Sequence, residues 1–222
     1  MKGGKTEMSI GRVVATLTLA LLVTFGGLSL TRHVIAVAGE MDAERLNRSI
    51  LDYIAQKNPR APIGAFRRFP EVMLAEAQRT NLDHCLVLAQ AEVESDFKHD
   101  AVGAAGEIGI FQIKPSTAAL LEPIAGKFKR PVITATVRDL GDLADPAISA
   151  RFAMAYLRDI MLRKPNVKDA LTEYNGGPNG RQPHYYRMVM GAYVEVLERE
   201  ELRCRFRDVL KPVPLLVGLA GV

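Results

Sequence analysis

Apolar residues cover nearly every side of the helix predicted between residues 82 and 95, and this constrains the fold more than any other feature. They are distributed all round the helical wheel: Leu82, Leu86, Val87, Leu88, Ala89, Ala91 and Val93. A helix that is apolar all round is a buried helix. The rest of the chain must therefore enclose this segment.

The surrounding segments are also predicted to be helical. Apolar residues recur at helical spacing in residues 41–58, 71–80, 116–125, 145–163, 168–174 and 184–200. An Asn-Gly-Gly-Pro turn at 175–178 ends one of these helices. The mixed stretch 127–142 leaves room for a short extended segment. With 48% hydrophobic residues among 222, the chain suits one mainly α domain with appendages.

The first 38 residues are predicted to direct export. Basic residues precede a charge-free run at 13–31, which as a helix would be about 28 Å long, against ~30 Å for the bilayer core. Ala36-Val37-Ala38 also matches a cleavage site, so a signal anchor, which we favour, and a cleaved signal peptide both stay open. The basic flank predicts that the remainder lies outside the cytoplasm. We expect it on the periplasmic side of the inner membrane, or free in the periplasm.

Beyond residues 1–38 we expect a helical stalk or packing helix at 39–68, a main domain at 69–198 and a C-terminal tail at 199–222. Removing the four basic residues and one acidic residue of 1–38 from the totals of 29 and 25 leaves a net charge of +1, which argues against nucleic-acid binding. The apolar setting of Cys85 predicts a buried free thiol, although an exported compartment permits a disulfide with Cys204. Because the sequence has neither a C-x-x-C pair nor a plausible histidine cluster, we expect no structural zinc site. Nothing else in the sequence implies a metal or an organic cofactor.

The buried helix ends in three acids within "AEVESDF": Glu92, Glu94 and Asp96. A carboxyl group at the end of a buried helix loses hydration and faces the negative end of the helix dipole, and both effects raise its pKa. A raised pKa is what a general acid near neutral pH requires. Glu92 and Glu94 lie on opposite sides of the wheel, so periodicity alone does not choose between them, and a solvated helix end is the alternative.

Three ordered motifs accompany this helix end. They are Glu94-Ser95, then Gly106-x-x-Gly109-Ile110-Phe111-Gln112, then Tyr174-Asn175-Gly176-Gly177. Together they resemble the signatures of the soluble lytic transglycosylase (SLT) family, which has a lysozyme-like fold. The resemblance covers roughly residues 69–198, and Phe97, Ala101, Pro115, Thr117 and Ala118 also match the family's spacing.

The resemblance implies a lysozyme-like lytic transglycosylase domain with Glu94 as its catalytic acid. In the family this glutamate protonates the glycosidic oxygen between N-acetylmuramic acid and N-acetylglucosamine in peptidoglycan. It then removes the proton of the muramoyl 6-hydroxyl group, which closes a 1,6-anhydro ring. The resemblance further implies that Ser95 and Gln112 contact sugar, that Tyr174 supports Glu94, and that Asn175 helps to hold the acetamido group.

Each of these polar residues also has a purely structural interpretation. Gly103, Gly106 and Gly109 mark a loop, called the glycine loop below. Ser95 can terminate its helix, Gln112 can bind the backbone of this loop, and Asn175 is a natural C-cap residue. The sequence also departs from the family pattern at three places near the motifs: Ile110-Phe111 replaces Leu-Met, Gly103 replaces a serine, and Glu173 replaces an alanine. Glu107 likewise adds an acid inside the glycine loop.

Two other functions stay open. If Glu107 or Glu173 activated water, the protein would be a hydrolytic muramidase on the same fold. If catalysis had lapsed, it would be a wall-binding component of an envelope-spanning system. We expect peptidoglycan strands as the substrate and the membrane as a partner through the N-terminal helix. The compact domain also suits an enzyme of a secretion, conjugation or pilus machine, by analogy alone.

Overall fold

The computed structural model describes residues 40–180 and 183–204. The chain divides into two compact units, Met1–Arg45 and Leu46–Val222. Of the first unit only residues 40–45 are described, and they are helical. The predicted anchor at 13–31, its cleavage site and the tail from residue 205 lie outside the described residues. None of the described helices has the length and apolar character needed to cross a bilayer.

The described part of the second unit is mainly helical, which confirms the predicted class. Its first helix, α1, covers residues 46–57. The other helices are α2 (Phe69–Thr80), α3 (His84–Ser95), α4 (Pro115–Ala125), α5 (Pro146–Arg163), α6 (Val167–Gly176) and α7 (Pro183–Leu197). Short 3₁₀ turns lie at Ile63–Phe66, Gly141–Ala144 and Glu200–Leu202. Strands β1 (Val132–Ile133) and β2 (Arg138–Asp139) form an antiparallel hairpin, with Val132 opposite Asp139.

The helix that the apolar pattern placed at the centre is α3. Residues 84–91 are all buried, and α3 packs mainly against α7, while α2 packs against α5. The Asp83 side chain caps the start of α3 by accepting a hydrogen bond from the Cys85 amide at 3.0 Å. At the other end the backbone of Asp96 turns left-handed (φ 54°), so the helix stops directly after Ser95. Glu94 therefore lies in the last turn of a rigid, buried helix.

The segment predicted as a stalk or packing helix contributes to this same core. Ile50, Tyr53 and Ile54 of α1 are buried with the core side chains of α2 and α3. Asn58, which follows α1, donates from Nδ2 to the carbonyl oxygen of Asp96 at 2.8 Å. The end of α1 is therefore fastened to the end of α3, next to the acids.

The prediction of a free thiol at Cys85 is wrong. Cys85 and Cys204 form a disulfide across 119 residues of sequence, and their Cα atoms are 5.5 Å apart, a usual separation for such a bridge. After α7 the chain turns through Glu200–Leu202 and returns to the N-terminal end of α3. The approach is non-local, so the apolar run around Cys85 could not show it.

Side-chain atoms of a kind that can bind metal lie within 4.8 Å of one another on Asp83, His84 and Cys85. Each of these side chains nevertheless has a partner within the protein. The Cys85 sulfur is in the disulfide, and Asp83 accepts a second hydrogen bond from the hydroxyl of Tyr193. A ring nitrogen of His84 lies 2.7 Å from the carbonyl oxygen of Leu202. This cluster therefore fastens the end of the described chain to α3.

Candidate active site

Glu94 is held by a buried tyrosine that no motif indicated. The Tyr185 hydroxyl, on α7, donates to Glu94 Oε1 at 2.6 Å. Gln90, one turn before Glu94 on α3, donates from Nε2 to the same hydroxyl oxygen at 3.2 Å. Two residues of the α3–α7 contact thus orient the carboxyl group.

The surroundings of Glu94 suit proton transfer. Burial raises its pKa, the Tyr185 hydrogen bond lowers it, and the negative charge of Glu107 raises it, with a resulting pKa of about 7. A carboxyl group with that pKa is protonated in a large fraction of molecules at neutral pH and can also act as a base. Glu94 can therefore give a proton and take one back under the same conditions.

The structure also decides between the two glutamates that the helical wheel left equivalent. Glu92 faces α1, where it accepts a hydrogen bond from the Tyr53 hydroxyl and pairs with Lys57 Nζ at 2.8 Å. Asp96 is exposed beyond the helix end, with Lys98 Nζ 3.4 Å away. Only Glu94 of the three acids lines the cleft described next.

A cleft of about 530 Å³ lies in front of Glu94. It is formed by the end of α3, the glycine loop, the start of α4 and the turn after α6. Its polar lining includes Glu94, Glu107, Gln112, Lys114, Tyr174 and Asn175. Three of the predicted site residues besides Glu94 are therefore brought together here: Gln112, Tyr174 and Asn175.

Gln112 holds the glycine loop while it lines the cleft. Its backbone is left-handed (φ 47°), and its Nε2 donates to the carbonyl oxygens of Gly109 at 2.9 Å and Ala101 at 3.4 Å. Gly109 is itself at φ 79°, and a Cβ atom there would overlap the carbonyl oxygen of Leu143. The glycine therefore permits the tight packing that presents Gln112 to the cleft.

Ser95 lies between α3 and the glycine loop. Its hydroxyl oxygen is 3.0 Å from the carbonyl oxygen of Ile110 and 3.3 Å from that of Ala91, and Ser95 is not among the cleft-lining residues. In this position it joins α3 to the loop. The predicted contact of Ser95 with sugar stays a prediction.

Tyr174 and Asn175 close the cleft at the end of α6. The buried Tyr174 donates its hydroxyl to the carbonyl oxygen of Phe111 at 3.1 Å, and its ring lies 5.1 Å from that of Tyr156. Its hydrogen bond is thus to the glycine loop, while the bond to Glu94 comes from Tyr185. Asn175, the next residue, is exposed on the cleft wall, where its amide group is accessible to a ligand.

The two acids that depart from the family pattern have different surroundings. Glu173 is buried and does not line the cleft, and it pairs with Arg163 at 2.8 Å and Lys164 at 2.7 Å. Although burial opposes ionisation, the hydrogen bonds from Lys164 and Arg163 lower the pKa of Glu173. Glu107 lines the cleft and pairs with Lys114 at 3.4 Å. Glu107 is therefore the additional acid that a substrate would meet.

Tyr185 and Gln90 were missed by the sequence reasoning. Tyr185 is one of two adjacent tyrosines in an amphipathic helix, and Gln90 is one polar residue in an apolar one. The only available signal was a polar side chain inside the most buried helix, which needs a hydrogen-bond partner somewhere in the fold.

Comparison with known proteins agrees with the three motifs. The family description that the chain matches is Transglycosylase SLT domain, over residues 71–185, just over half of its 222 residues. The chain therefore belongs to the SLT transglycosylase family, as the resemblance predicted. No curated protein matches it significantly.

Two solved structures are similar to the chain. One is the lytic transglycosylase Slt of Pseudomonas aeruginosa, as an inactive mutant, with 20% identity and a TM-score of 0.49, covering 67% of this chain and 28% of that one. The other is the 70 kDa soluble lytic transglycosylase of Escherichia coli, with 20% identity and a TM-score of 0.43, covering 71% of this chain and 27% of that one. This chain thus spans less than a third of the length of either.

Proposed function

We propose that this protein is a peptidoglycan lytic transglycosylase. It cleaves the β-1,4 bond between N-acetylmuramic acid and N-acetylglucosamine and leaves 1,6-anhydromuramic ends. The observation that carries the proposal is the state of Glu94, a buried carboxyl group with a pKa of about 7 that is oriented by Tyr185 at the wall of a polar cleft. Family membership supports the same reaction.

In the first step the protonated Glu94 transfers its proton to the glycosidic oxygen. The bond from that oxygen to C1 of the muramoyl unit breaks, the N-acetylglucosamine unit leaves as an alcohol, and positive charge develops at C1 and the ring oxygen. The Tyr185 hydrogen bond stabilises the carboxylate that forms. The acetamido group of the muramoyl unit can stabilise the developing charge from the substrate's own side.

In the second step the Glu94 carboxylate removes the proton of the muramoyl 6-hydroxyl group as its oxygen bonds to C1. This closes the 1,6-anhydro ring and returns Glu94 to its protonated form. No water is consumed, and one carboxyl group serves first as acid and then as base. A pKa near 7 suits both directions of transfer.

The hydrolytic muramidase remains the second candidate because Glu107 also lines the cleft. Water attack on the far face of the sugar requires a second carboxylate about 6.5–9.5 Å from the acid, and a carboxylate nucleophile would lie about 5–5.5 Å away. Glu173 can take neither role, because it is paired with Arg163 and Lys164 and does not line the cleft. Glu107 is held by Lys114 and by the Ala105 amide, which favours a positioning role over activation of water.

Mass spectrometry of products from purified peptidoglycan tests the proposal. Muropeptides lighter by one water molecule than their hydrolysed counterparts are expected. Reducing muramic ends that disappear in Glu107→Gln would establish hydrolysis instead. Binding to peptidoglycan with no product of either kind would indicate the non-catalytic wall-binding component.

We also propose that the protein acts outside the cytoplasm, anchored to the inner membrane or free in the periplasm, within a secretion, conjugation or pilus machine. The disulfide supports an oxidising compartment. The basic flank and charge-free run at 13–31 support export. The machine is proposed by analogy with compact wall-cleaving enzymes.

A further inference from the structure

Two side-chain oxygens converge over Gly103 on the wall of the cleft. A Cβ atom at this glycine would lie 2.5 Å from Glu107 Oε2 and 2.6 Å from Gln112 Oε1, both far too close. These distances also mean that the two oxygens are no more than about 5 Å apart. The missing side chain at position 103 therefore makes room for a pair of acceptors.

The Gln112 oxygen of this pair is oriented as an acceptor. Because Nε2 donates to the carbonyl oxygens of Gly109 and Ala101, the amide cannot reverse without losing both hydrogen bonds. Within residues 40–180 and 183–204, no protein group donates to Gln112 Oε1. A ligand in the cleft meets an oxygen whose direction is set and whose lone pairs are available.

Glu107 is likewise held in place. Its Oε2 accepts a hydrogen bond from the Ala105 amide at 3.0 Å, and its Oε1 lies 3.4 Å from Lys114 Nζ. The side chain keeps 22% exposure, so these contacts orient the carboxylate without covering it. Each carboxylate oxygen can accept more than one hydrogen bond, so Oε2 retains capacity for a ligand.

We propose that Glu107 is a substrate-positioning residue that, together with Gln112 Oε1, accepts hydrogen bonds from hydroxyl and acetamido N–H groups of an N-acetylated sugar. Gly103 is the small residue that this acceptor pair requires. The inference rests on the proposed function for the identity of the sugar. Hydrogen bonds to a charged acceptor are stronger than those between neutral groups, so the carboxylate contributes most of the effect.

Binding can be measured without turnover. In the Glu94→Gln background, calorimetric titration with an N-acetylglucosamine tetramer should show binding that Glu107→Ala weakens about tenfold and Glu107→Gln weakens less, because an amide oxygen still accepts. A glucose tetramer, which lacks the acetamido N–H, should bind more weakly and lose less from Glu107→Ala. Glu71→Ala, an exposed acid on α2 away from the cleft, is the matched control and should change neither.

Gly103→Ser tests the geometry, because its Cβ would displace both oxygens. In the otherwise wild-type enzyme we expect kcat/KM on peptidoglycan to fall at least tenfold. In the double variant Gly103→Ser/Glu107→Ala the overlap with the Glu107 carboxylate is gone and only that with Gln112 Oε1 remains. The loss of kcat/KM should therefore be smaller than the product of the losses in the two single variants. At a pH low enough to keep Glu94 protonated without the charge of Glu107, Glu107→Ala alone should act mainly on KM, with an unchanged thermal midpoint, which a merely structural role of the loop would not produce.

Unchanged affinity for the N-acetylglucosamine tetramer in Glu107→Ala would overturn the inference. It would also be overturned if the losses of kcat/KM caused by Gly103→Ser and Glu107→Ala simply multiplied in the double variant. These outcomes are separable from failure of the proposed function. If the enzyme released no anhydro ends but Glu107→Ala still weakened tetramer binding, the acceptor pair would stand and the reaction would be wrong. If anhydro ends formed normally and tetramer binding ignored Glu107, only the acceptor pair would be wrong.

Discussion

Replacing Tyr185 with phenylalanine should move the pH dependence of the reaction in a direction that the structure specifies. The hydroxyl donates to Glu94 Oε1 at 2.6 Å and so stabilises the ionised carboxylate, which lowers the pKa that burial raises. Without the hydroxyl the pKa of Glu94 should rise above its value of about 7. Because the first step needs the protonated acid, activity is present below this pKa and is lost as the pH rises through it.

The size of the shift follows from the hydrogen bond. A hydrogen bond to a charged group contributes about 1.5–3 kcal/mol, and one pKa unit corresponds to about 1.4 kcal/mol. The midpoint of the alkaline limb of kcat/KM should therefore move up by about one to two pH units. The assay is release of soluble muropeptides from purified peptidoglycan across the pH range in which both proteins remain folded.

Tyr186→Phe provides the matched control, since the neighbouring tyrosine is only partly buried and makes no hydrogen bond to Glu94. Tyr185→Phe also leaves Gln90 Nε2 without its acceptor, so a loss of about 1–3 kcal/mol in the free energy of unfolding is expected. An alkaline limb that stays in place, or moves to lower pH, would refute the assigned role of Tyr185.

The remaining predictions concern the acid, the disulfide and the N-terminal segment. Glu94→Gln should lower turnover by about 10²-fold or more, because it removes the transferable proton, whereas Glu92→Gln should leave muropeptide release within about threefold. Ionisation of Glu94 should lower the free energy of unfolding of the wild type by about 3 kcal/mol as the pH rises from 4.5, its pKa in the unfolded chain, to about 7, its pKa in the folded protein. Glu94→Gln should remove this contribution, as measured by denaturation of both proteins at several pH values. Cys85→Ser should destabilise the domain by about 4–5 kcal/mol on the loop-entropy model, because the bridge closes 119 residues, and dithiothreitol should have the same effect on the wild type. The protein should fractionate with membranes through residues 13–31.

Each of these predictions has an outcome that contradicts it. Loss of activity in Glu92→Gln with retention in Glu94→Gln would mean that the other glutamate is the acid. The same change in the free energy of unfolding between pH 4.5 and 7 in the wild type and in Glu94→Gln would mean that burial does not favour protonated Glu94. Equal unfolding midpoints with and without reductant would deny the disulfide any stabilising role. A mature protein that begins at Gly39 would replace the anchor with a cleaved signal.

Local patterns in the sequence were sufficient for the helices, for the burial of one of them and for the family. Apolar residues all round 82–93 predict burial because a helix has no other way to hide them, and α3 is buried. The motifs at Glu94, Gln112 and Asn175 were recognisable because each depends only on neighbouring residues. They lie at a helix end, in a glycine loop and at a helix stop, respectively. Periodicity also indicated that α1 has an apolar face, although not what that face covers.

The tertiary structure decided everything that depends on which segments meet. Glu92 and Glu94 are equivalent on the wheel, and they differ because α1 covers the first while α7 and the cleft face the second. Tyr185 reaches Glu94 across 91 residues and Cys204 reaches Cys85 across 119, distances at which no local spacing carries information. The pKa of Glu94 follows from such contacts between distant segments, because desolvation and nearby charge are properties of the assembled core and not of the helix alone.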